Sequence, residues 1–150
     1  MARVNVGVPP CLLFDQWLVA ESVEITMIGG SLRANQYAIK GKIPNSFKLG
    51  AGHVNFFKPK LKYLKRRLDA VNREMESRGF KPGTDLCLSQ FPNEFHNDWQ
   101  PCLEDSMILR NRLIEKINKK PTFWRYKRKQ VIEDIDKWKS AITNGLLFCV

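Results

Sequence analysis

The stretch from residue 58 to residue 80, KPKLKYLKRRLDAVNREMESRGF, contains the clearest helix signal in the chain. Its apolar residues recur at spacings of three and four, which places them on one face of an α-helix: Leu61, Leu64, Leu68, Val71 and Met75. Pro59 suits a first helical turn and Gly79 suits a C-terminal cap. The stretch therefore predicts one amphipathic helix, whose opposite face is basic: Lys60, Lys62, Lys65, Arg66, Arg67 and Arg73.

A helix is also predicted before this stretch, from about Leu12 to Met27. It places one aromatic ring and two carboxylates on one face, at i, i+4 and i+7: Trp17, Glu21 and Glu24. Such carboxylates are either solvated surface or part of a site. Gly29-Gly30 is predicted to end the helix, with a shorter helix near Ser31–Lys40.

Two more helices are predicted in the C-terminal half. The first, from about Leu103 to Asn118, has four expected core positions: Met107, Leu109, Leu113 and Ile117. The second ends at Asn144-Gly145 and carries Ile132, Ile135, Trp138 and Ile142 on one stripe. Strand signals are weak throughout. The predicted class is mainly α, a compact single-domain helical fold with long irregular loops and little or no β-sheet.

Charge and composition narrow the classes of function. The 150 residues carry a formal net charge of +10. This excess favours an anionic partner, either nucleic acid, a membrane surface or an acidic protein. The alternative is a basic face that is only solvated. A hydrophobic content of 43% excludes a disordered chain, and no apolar window is long enough for a membrane span. No secretory signal pattern is present, so a cytoplasmic location is expected. The four cysteines form no CxxC pair and no metal site is expected.

Residues 119–129, called the basic segment below, give the most information about the kind of molecule that the chain binds. Cations there alternate with aromatic rings: Lys119, Lys120, Phe123, Trp124, Arg125, Tyr126, Lys127, Arg128 and Lys129. Cations neutralise phosphates, and exposed rings stack on bases, so the mixture favours nucleic acid. The alternative is that the rings pack inward and the charges are only solvated.

Several stretches resemble the pyrimidine-dimer DNA glycosylases of the T-even phage endonuclease V type. Residues 1–5 (MARVN), 15–21 (DQWLVAE) and Glu24 are similar to the start of that family. Residues 49–57 (LGAGHVNFF) are close to its most recognisable stretch. Further similar stretches follow in the same order: Arg78-Gly79-Phe80, Pro92-Asn93-Glu94-Phe95, Lys116-Ile117 and Pro121-Thr122. The resemblance covers about residues 1–128.

The resemblance implies a DNA repair glycosylase with an associated lyase activity at abasic sites. After removal of Met1, the α-amine of Ala2 would attack C1′ of the damaged nucleotide, with Glu24 as the catalytic carboxylate. The partner would be damaged double-stranded DNA, bound by a monomer without metal or cofactor. The residues assigned to DNA binding are Arg3, Gln16, His53, Arg66, Lys116, Lys120, Phe123, Trp124, Arg125, Tyr126 and Lys127. For His53, a structural role in anchoring its loop is the alternative.

The chain departs from the family pattern just before Glu24. It has Ser22-Val23 where the family usually has an aromatic residue and arginine. Two alternatives stay open: the same chemistry on another damaged or modified base, and a non-catalytic DNA-binding module. Relatives commonly end near the aromatic segment. Residues 1–128 are therefore predicted to form the glycosylase and lyase domain, and 129–150 a helical extension packed on it.

Overall fold

The computed structural model describes residues 3–83, 85–131 and 135–145. Its α-helices are Asp15–Ala34 (α1), His53–Phe57 (α2), Leu61–Ser77 (α3), Leu103–Lys119 (α4) and Ile135–Gly145 (α5). Single 3-10 turns lie at Pro10–Leu12, Leu88–Gln90 and Asn93–Phe95. In the described ranges, β structure consists of one isolated bridge and an antiparallel hairpin of Arg125–Tyr126 (β1) and Lys129–Gln130 (β2). The predicted mainly α class is confirmed.

The spatial contacts between residues divide the chain into two compact units. The first contains Ala20–Gln100 with the described part of Met1–Val4. The second contains Asn5–Val19 and the described part of Pro101–Val150. The boundary predicted between residues 128 and 129 stays a prediction.

The first unit is organised by α3, whose predicted apolar stripe is confirmed. All five stripe residues are buried: Leu61, Leu64, Leu68, Val71 and Met75. Gly79 has a φ of 81° and follows the helix, and the N–H of Phe80 donates to the carbonyl of Met75 at 2.9 Å. This left-handed cap is the end predicted from the glycine. Pro59, in contrast, precedes the helix and does not lie in its first turn.

The predicted end of the first helix is wrong. α1 begins at Asp15, runs through Gly29-Gly30 and ends at Ala34, and no separate helix covers Ser31–Lys40. Its cap is formed by Gln36, in the left-handed region at a φ of 55°, with the N–H of Tyr37 donating to the Leu32 carbonyl at 2.8 Å. Although α1 has 20 residues, neither it nor another described helix is long and apolar enough to cross a membrane.

Gly29 lies within α1 because it leaves room for a neighbouring segment. A methyl group at that position would lie 2.7 Å from Leu86 Cδ1 and 3.3 Å from Phe91 Cζ. The glycine therefore allows the 81–100 connection to pack closely on the helix. For Gly30, one residue later, a methyl group would meet no described heavy atom within 4 Å apart from the adjacent residues and the backbone of the helix itself.

In the second unit, α4 buries a face slightly different from the predicted one. Leu109, Leu113 and Ile117 are buried as predicted, but Met107 is 42% exposed and Ser106 is buried in its place. A methyl group on Gly7 would lie 1.7 Å from Ser106 Oγ. The Gly7 backbone thus packs directly against Ser106 and leaves no room for a side chain at position 7.

The last helix packs within the second unit through its aromatic residue. α5 contacts α4 and the 3-10 turn Pro10–Leu12. The Trp138 ring lies 5.5 Å from that of Phe14 and 4.4 Å from that of Tyr126, and Ile142 is fully buried. The stripe residue Ile132 lies outside the described residues, as do 146–150.

The continuity of α1 can be tested with its two glycines. We expect Gly30→Ala to raise the free energy of unfolding by about 0.5–1 kcal/mol, because alanine loses less backbone entropy than glycine inside a helix. Gly29→Ala is the matched control and should gain less, since Leu86 and Phe91 must move. Urea unfolding of the two variants checks this. A loss of stability in Gly30→Ala would contradict a helix that continues through this position.

Candidate functional site

A candidate site in the first unit is built around Glu24. This residue lies on the buried face of α1 and is only 8% exposed. Within the described ranges its carboxylate accepts no hydrogen bond, whereas the nearby Glu21 is fully engaged. Glu24 is therefore a carboxylate that is largely removed from water and has no fixed hydrogen-bond partner among the described residues.

The environment of Glu24 favours its protonated form. Burial raises the pKa of this carboxyl above the ordinary glutamate value, and the positive charge of Arg3 opposes that rise. Arg3 is itself buried. A raised pKa brings a carboxyl closer to the range in which it can both accept and return a proton, which is what general acid–base chemistry needs.

Glu21, one turn earlier on the same face, has a different role. It is completely buried, and both its oxygens accept from Arg67 of α3, Oε2 from Nε at 2.5 Å and Oε1 from Nη2 at 3.0 Å. This bidentate pair fixes α1 against α3. The sequence places Arg67 among the basic residues opposite the apolar stripe of α3. In the structure its side chain is only 9% exposed, because it pairs with the buried Glu21 carboxylate.

The two residues that depart from the family pattern face different surroundings. Ser22 is buried, and its hydroxyl donates to Asn72 Oδ1 of α3 at 3.3 Å. Val23 is 50% exposed. Ser22 therefore adds a small polar contact between α1 and α3. Val23 leaves an apolar side chain at the surface, next to Glu24 in the sequence.

His53 connects the N-terminal segment to the loop before α2. Its Nδ1–H donates to the carbonyl of Lys48 at 2.9 Å, and its Nε2 accepts from the N–H of Val4 at 3.2 Å. The ring is buried, and this burial lowers the pKa of His53. Both ring nitrogens are thus occupied by backbone groups. The predicted contact between His53 and DNA stays a prediction.

A second group of predicted residues lies in the second unit, around the β1–β2 hairpin. Its turn consists of Lys127 and Arg128, both with positive φ, at 49° and 69°. Asp15, in the first turn of α1, accepts from both of their backbone N–H groups, at 3.0 Å and 2.7 Å. The carboxylate stabilises a backbone conformation that non-glycine residues rarely adopt, and the two cationic side chains lie on the exposed side.

Gln16 holds the strand that leads into this hairpin. Its Nε2 donates to the Phe123 carbonyl at 2.7 Å, and its Oε1 accepts from the N–H of Arg125 at 3.1 Å. A groove of about 570 Å³ opens here, lined by Gln16, Lys119, Lys120, Phe123, Arg125 and Gln130 among others. Phe123 is 51% exposed, with the Lys120 ammonium 5.3 Å from its ring centre. The groove combines positive charge with an accessible ring.

The three rings of the basic segment do not share one environment. Trp124 is buried, with its ring 4.7 Å from Trp17 and 5.8 Å from Phe14. Tyr126 is half-buried, and its hydroxyl donates to the Cys11 carbonyl at 2.8 Å. Inward packing, the alternative to base stacking, thus describes Trp124, whereas Phe123 remains accessible.

The remaining predicted DNA contacts lie on exposed or half-exposed helix faces. Arg66 is exposed and pairs with Asp98 at 2.6 Å. Lys116 is half-buried in the last turn of α4. No group of three or more histidine, cysteine, aspartate or glutamate side chains in the described ranges is arranged to bind a metal ion. Ala2, the predicted nucleophile, lies outside the described residues.

Two residues that shape these sites were not identified from the sequence. Arg67 could have been found, because it flanks the apolar stripe of α3 and a carboxylate at Glu21 on a buried face requires a cation. Asp15 gave no comparable signal, since the turn that it stabilises contains neither glycine nor asparagine.

A family model described as pyrimidine dimer DNA glycosylase matches residues 1–87 of the chain. The matched range is more than half of the 150 residues. It contains Glu24, the Glu21–Arg67 pair and the His53 contacts, and it ends before the basic hairpin.

The different roles of the two carboxylates predict opposite effects on stability. Glu21→Gln should lower the free energy of unfolding by about 3 kcal/mol, because it leaves the Arg67 charge buried without a counter-charge. Glu24→Gln, the matched control, should be neutral or slightly stabilising, since burial already disfavours its charged form. Urea unfolding at neutral pH separates them. Equal effects would contradict the assignment of Glu21 as the structural partner.

Glu24 also predicts a pH dependence of stability. Since its pKa is raised in the folded chain, the folded state binds more protons than the unfolded state above the ordinary glutamate pKa of about 4.3. The free energy of unfolding of the wild type, relative to Glu24→Gln, should be highest below that pH and should fall as pH rises through the raised pKa. Urea unfolding of both proteins across this range measures the difference. A constant difference would contradict the raised pKa.

Proposed function

Because the chain belongs to the pyrimidine dimer DNA glycosylase family, we propose that it removes a base of the dimer in duplex DNA and then cleaves the strand at the resulting abasic site. The nucleophile in this proposal is the α-amine of Ala2 after loss of Met1. An α-amine has a pKa of about 7.7–8, so a useful fraction is neutral at physiological pH.

The observation that carries the proposal is the state of Glu24. It is a buried carboxylate whose pKa is raised by burial, and it lies within the electrostatic reach of Arg3, the residue that follows Ala2. Glu21 cannot serve in its place, since both its oxygens are bound by Arg67. Of the two carboxylates on this helix face, Glu24 is therefore the one suited to proton transfer, and the charge of Arg3 acts on it.

In the first step, the amine nitrogen forms a bond to C1′ as the bond from C1′ to the base breaks, and the base leaves with the electron pair. The carboxylate of Glu24 stabilises positive charge that develops on the sugar. It then takes a proton from the attached amine. When the bond between C1′ and O4′ opens, O4′ receives a proton and a protonated imine remains between the protein and C1′.

In the second step, the imine acidifies the proton on C2′. A base removes that proton, a double bond forms between C2′ and C3′, and the bond from C3′ to its phosphate oxygen breaks. Hydrolysis of the imine then releases the amine. Glu24 can assist these proton transfers because its pKa is closer to neutrality than that of an ordinary glutamate.

Binding of the duplex is assigned to the basic surfaces. The groove beside the hairpin offers Lys119, Lys120 and Arg125 for phosphates and Phe123 for an exposed base. Removal of a base requires access to C1′, and enzymes that act in this way extrude a nucleotide from the stack. An accessible ring among phosphate-binding cations is consistent with that requirement.

Borohydride reduction tests the covalent step directly. With an abasic duplex and protein whose N-terminus has been verified as Ala2, we expect a stable cross-link to form. Glu24→Gln should reduce strand scission by about 100-fold or more, as expected for loss of a general acid–base group, while DNA binding is largely kept. N-terminal acetylation should abolish the cross-link. Normal scission by Glu24→Gln would remove this residue from the mechanism.

The choice of substrate separates the proposal from its alternatives. Duplexes that contain a cyclobutane pyrimidine dimer, another modified base or an abasic site should be compared in the same assay. Cleavage of the dimer duplex supports the proposed specificity. Cleavage at other modified bases instead would support the alternative that Ser22-Val23 motivates, and binding without any covalent adduct would identify a non-catalytic module.

The contribution of the groove can be measured through the salt dependence of binding. Each phosphate contact that is lost should reduce the slope of log affinity against log salt by about 0.9 for duplex DNA. We therefore expect Lys120→Ala to lower the slope by up to that amount, whereas Lys120→Arg, which keeps the charge, should preserve it. An unchanged slope in Lys120→Ala would exclude this side chain from phosphate binding.

A further inference from the structure

The contact between His53 and Val4 lies close to the proposed nucleophile along the chain. The Val4 N–H donates to His53 Nε2 at 3.2 Å, and the donor residue is completely buried. Ala2 is two residues earlier, and two residues of extended chain span at most about 7 Å. A constraint on Val4 therefore limits the volume that the N-terminal amine can explore.

The hydrogen bonds of His53 define one tautomer. Because the Lys48 carbonyl can only accept, Nδ1 carries the proton, and Nε2 is left as the acceptor for Val4. The rings of Phe47 and Phe57 pack against the imidazole, with centroids at 5.6 Å and 5.1 Å. The ring is thus held from both of its nitrogens and by aromatic neighbours, and its orientation is well determined.

We propose that neutral His53 is a positioning residue, which holds the N-terminal segment through Val4 so that the amine of Ala2 stays beside its target. This assignment rests on the proposed function, in which that amine is the nucleophile. His53 does not touch the reacting atoms; it acts through Val4. Proximity of this kind can account for a large part of a rate enhancement, since it removes the entropy cost of bringing the groups together.

The same geometry makes the anchor sensitive to pH. A second proton would occupy Nε2 and turn it from an acceptor into a donor that faces the Val4 N–H. The charges that act on the ring are Arg3, which opposes protonation, and Glu21, which favours it but is paired with Arg67. Burial dominates and lowers the pKa of His53, so the anchor persists at neutral pH and is lost in acid.

Two amide substitutions separate the hydrogen bonds of His53. In His53→Gln, the amide oxygen can occupy the place of Nε2 and accept from Val4. In His53→Asn, the amide nitrogen can occupy the place of Nδ1 and donate to Lys48, but no acceptor reaches Val4. We expect His53→Asn to slow borohydride trapping on an abasic duplex by about tenfold, equivalent to one hydrogen bond, and His53→Gln to stay near the wild-type rate.

Amide hydrogen exchange at Val4 gives a readout that does not depend on catalysis. In the wild type, the protection factor should be high at neutral pH and should collapse as His53 gains its second proton. In His53→Gln it should remain high in acid, because glutamine does not titrate. A wild-type protection factor that is unaffected by pH, relative to neighbouring amides, would overturn the anchor without any need for a folded variant.

The two readouts distinguish failure of this assignment from failure of the proposed function. If the wild type is trapped and His53→Asn is trapped just as fast as His53→Gln, His53 does not position the amine, and the proposed function stands. If the wild type is never trapped on verified Ala2 protein, the proposed function fails, and the positioning role fails with it. The exchange data then report only a structural hydrogen bond.

Discussion

The buried ion pair between Glu21 and Arg67 is the interaction on which the geometry of the first unit depends. Removing two charges from water is costly, and the cost is offset only when the pair is complete and well oriented. The bidentate contact meets that condition at a single rotation of α1 about its axis and a single position along α3. Since Glu24 lies three residues after Glu21, this pair also determines that Glu24 occupies the buried face.

The two carboxylates show how environment assigns different roles to identical side chains. Glu21 has a rigid guanidinium on both oxygens, so its charge is compensated and both oxygens are already engaged. Glu24 has the positive charge of Arg3 nearby but no fixed hydrogen-bond partner in the described ranges, and burial therefore governs its pKa. The same side chain on one helix face thus serves as a structural ion-pair partner at one position and as a candidate for proton transfer at the other.

Features that depend on sequence periodicity were predicted correctly. Predictions were wrong where a contact between residues distant in sequence determines the structure. The stripe of α3 and its Gly79 cap follow from local pattern alone, and they were predicted correctly. Gly29 looked like a helix end, yet it serves as a space for Leu86 and Phe91, neither of which is near in sequence. Helical spacing predicts Met107 in the core, but the Gly7 backbone packs on α4 at Ser106, and Ser106 is buried while Met107 is exposed.

The same difference between local pattern and tertiary contact applies to the residues of the candidate site. The sequence pattern predicts the helix face that carries Glu24 and the cationic character of the basic segment, because both are visible in one dimension; the choice of Glu24 as the catalytic carboxylate comes from the resemblance and stays a prediction. The partners that give these groups their properties could not be predicted, since Arg67, the Val4 N–H and the Asp15 carboxylate meet their partners only through the fold. Asp15 illustrates this most directly, because its residue type and position suggest only an ordinary helix start.

The turn of the β1–β2 hairpin explains why the Asp15 carboxylate packs against the basic segment. Lys127 and Arg128 adopt the left-handed conformation, which costs roughly 1–2 kcal/mol for each residue with a side chain. Glycine would avoid that cost but would carry no charge. The Asp15 carboxylate offsets it by accepting from both backbone N–H groups, so the turn can keep two cations at its tip. The basic segment therefore carries fixed charges, whereas the proposed chemistry depends on groups that exchange protons or stay neutral: the neutral fraction of the Ala2 amine, the Glu24 carboxyl with its raised pKa, and the neutral imidazole of His53.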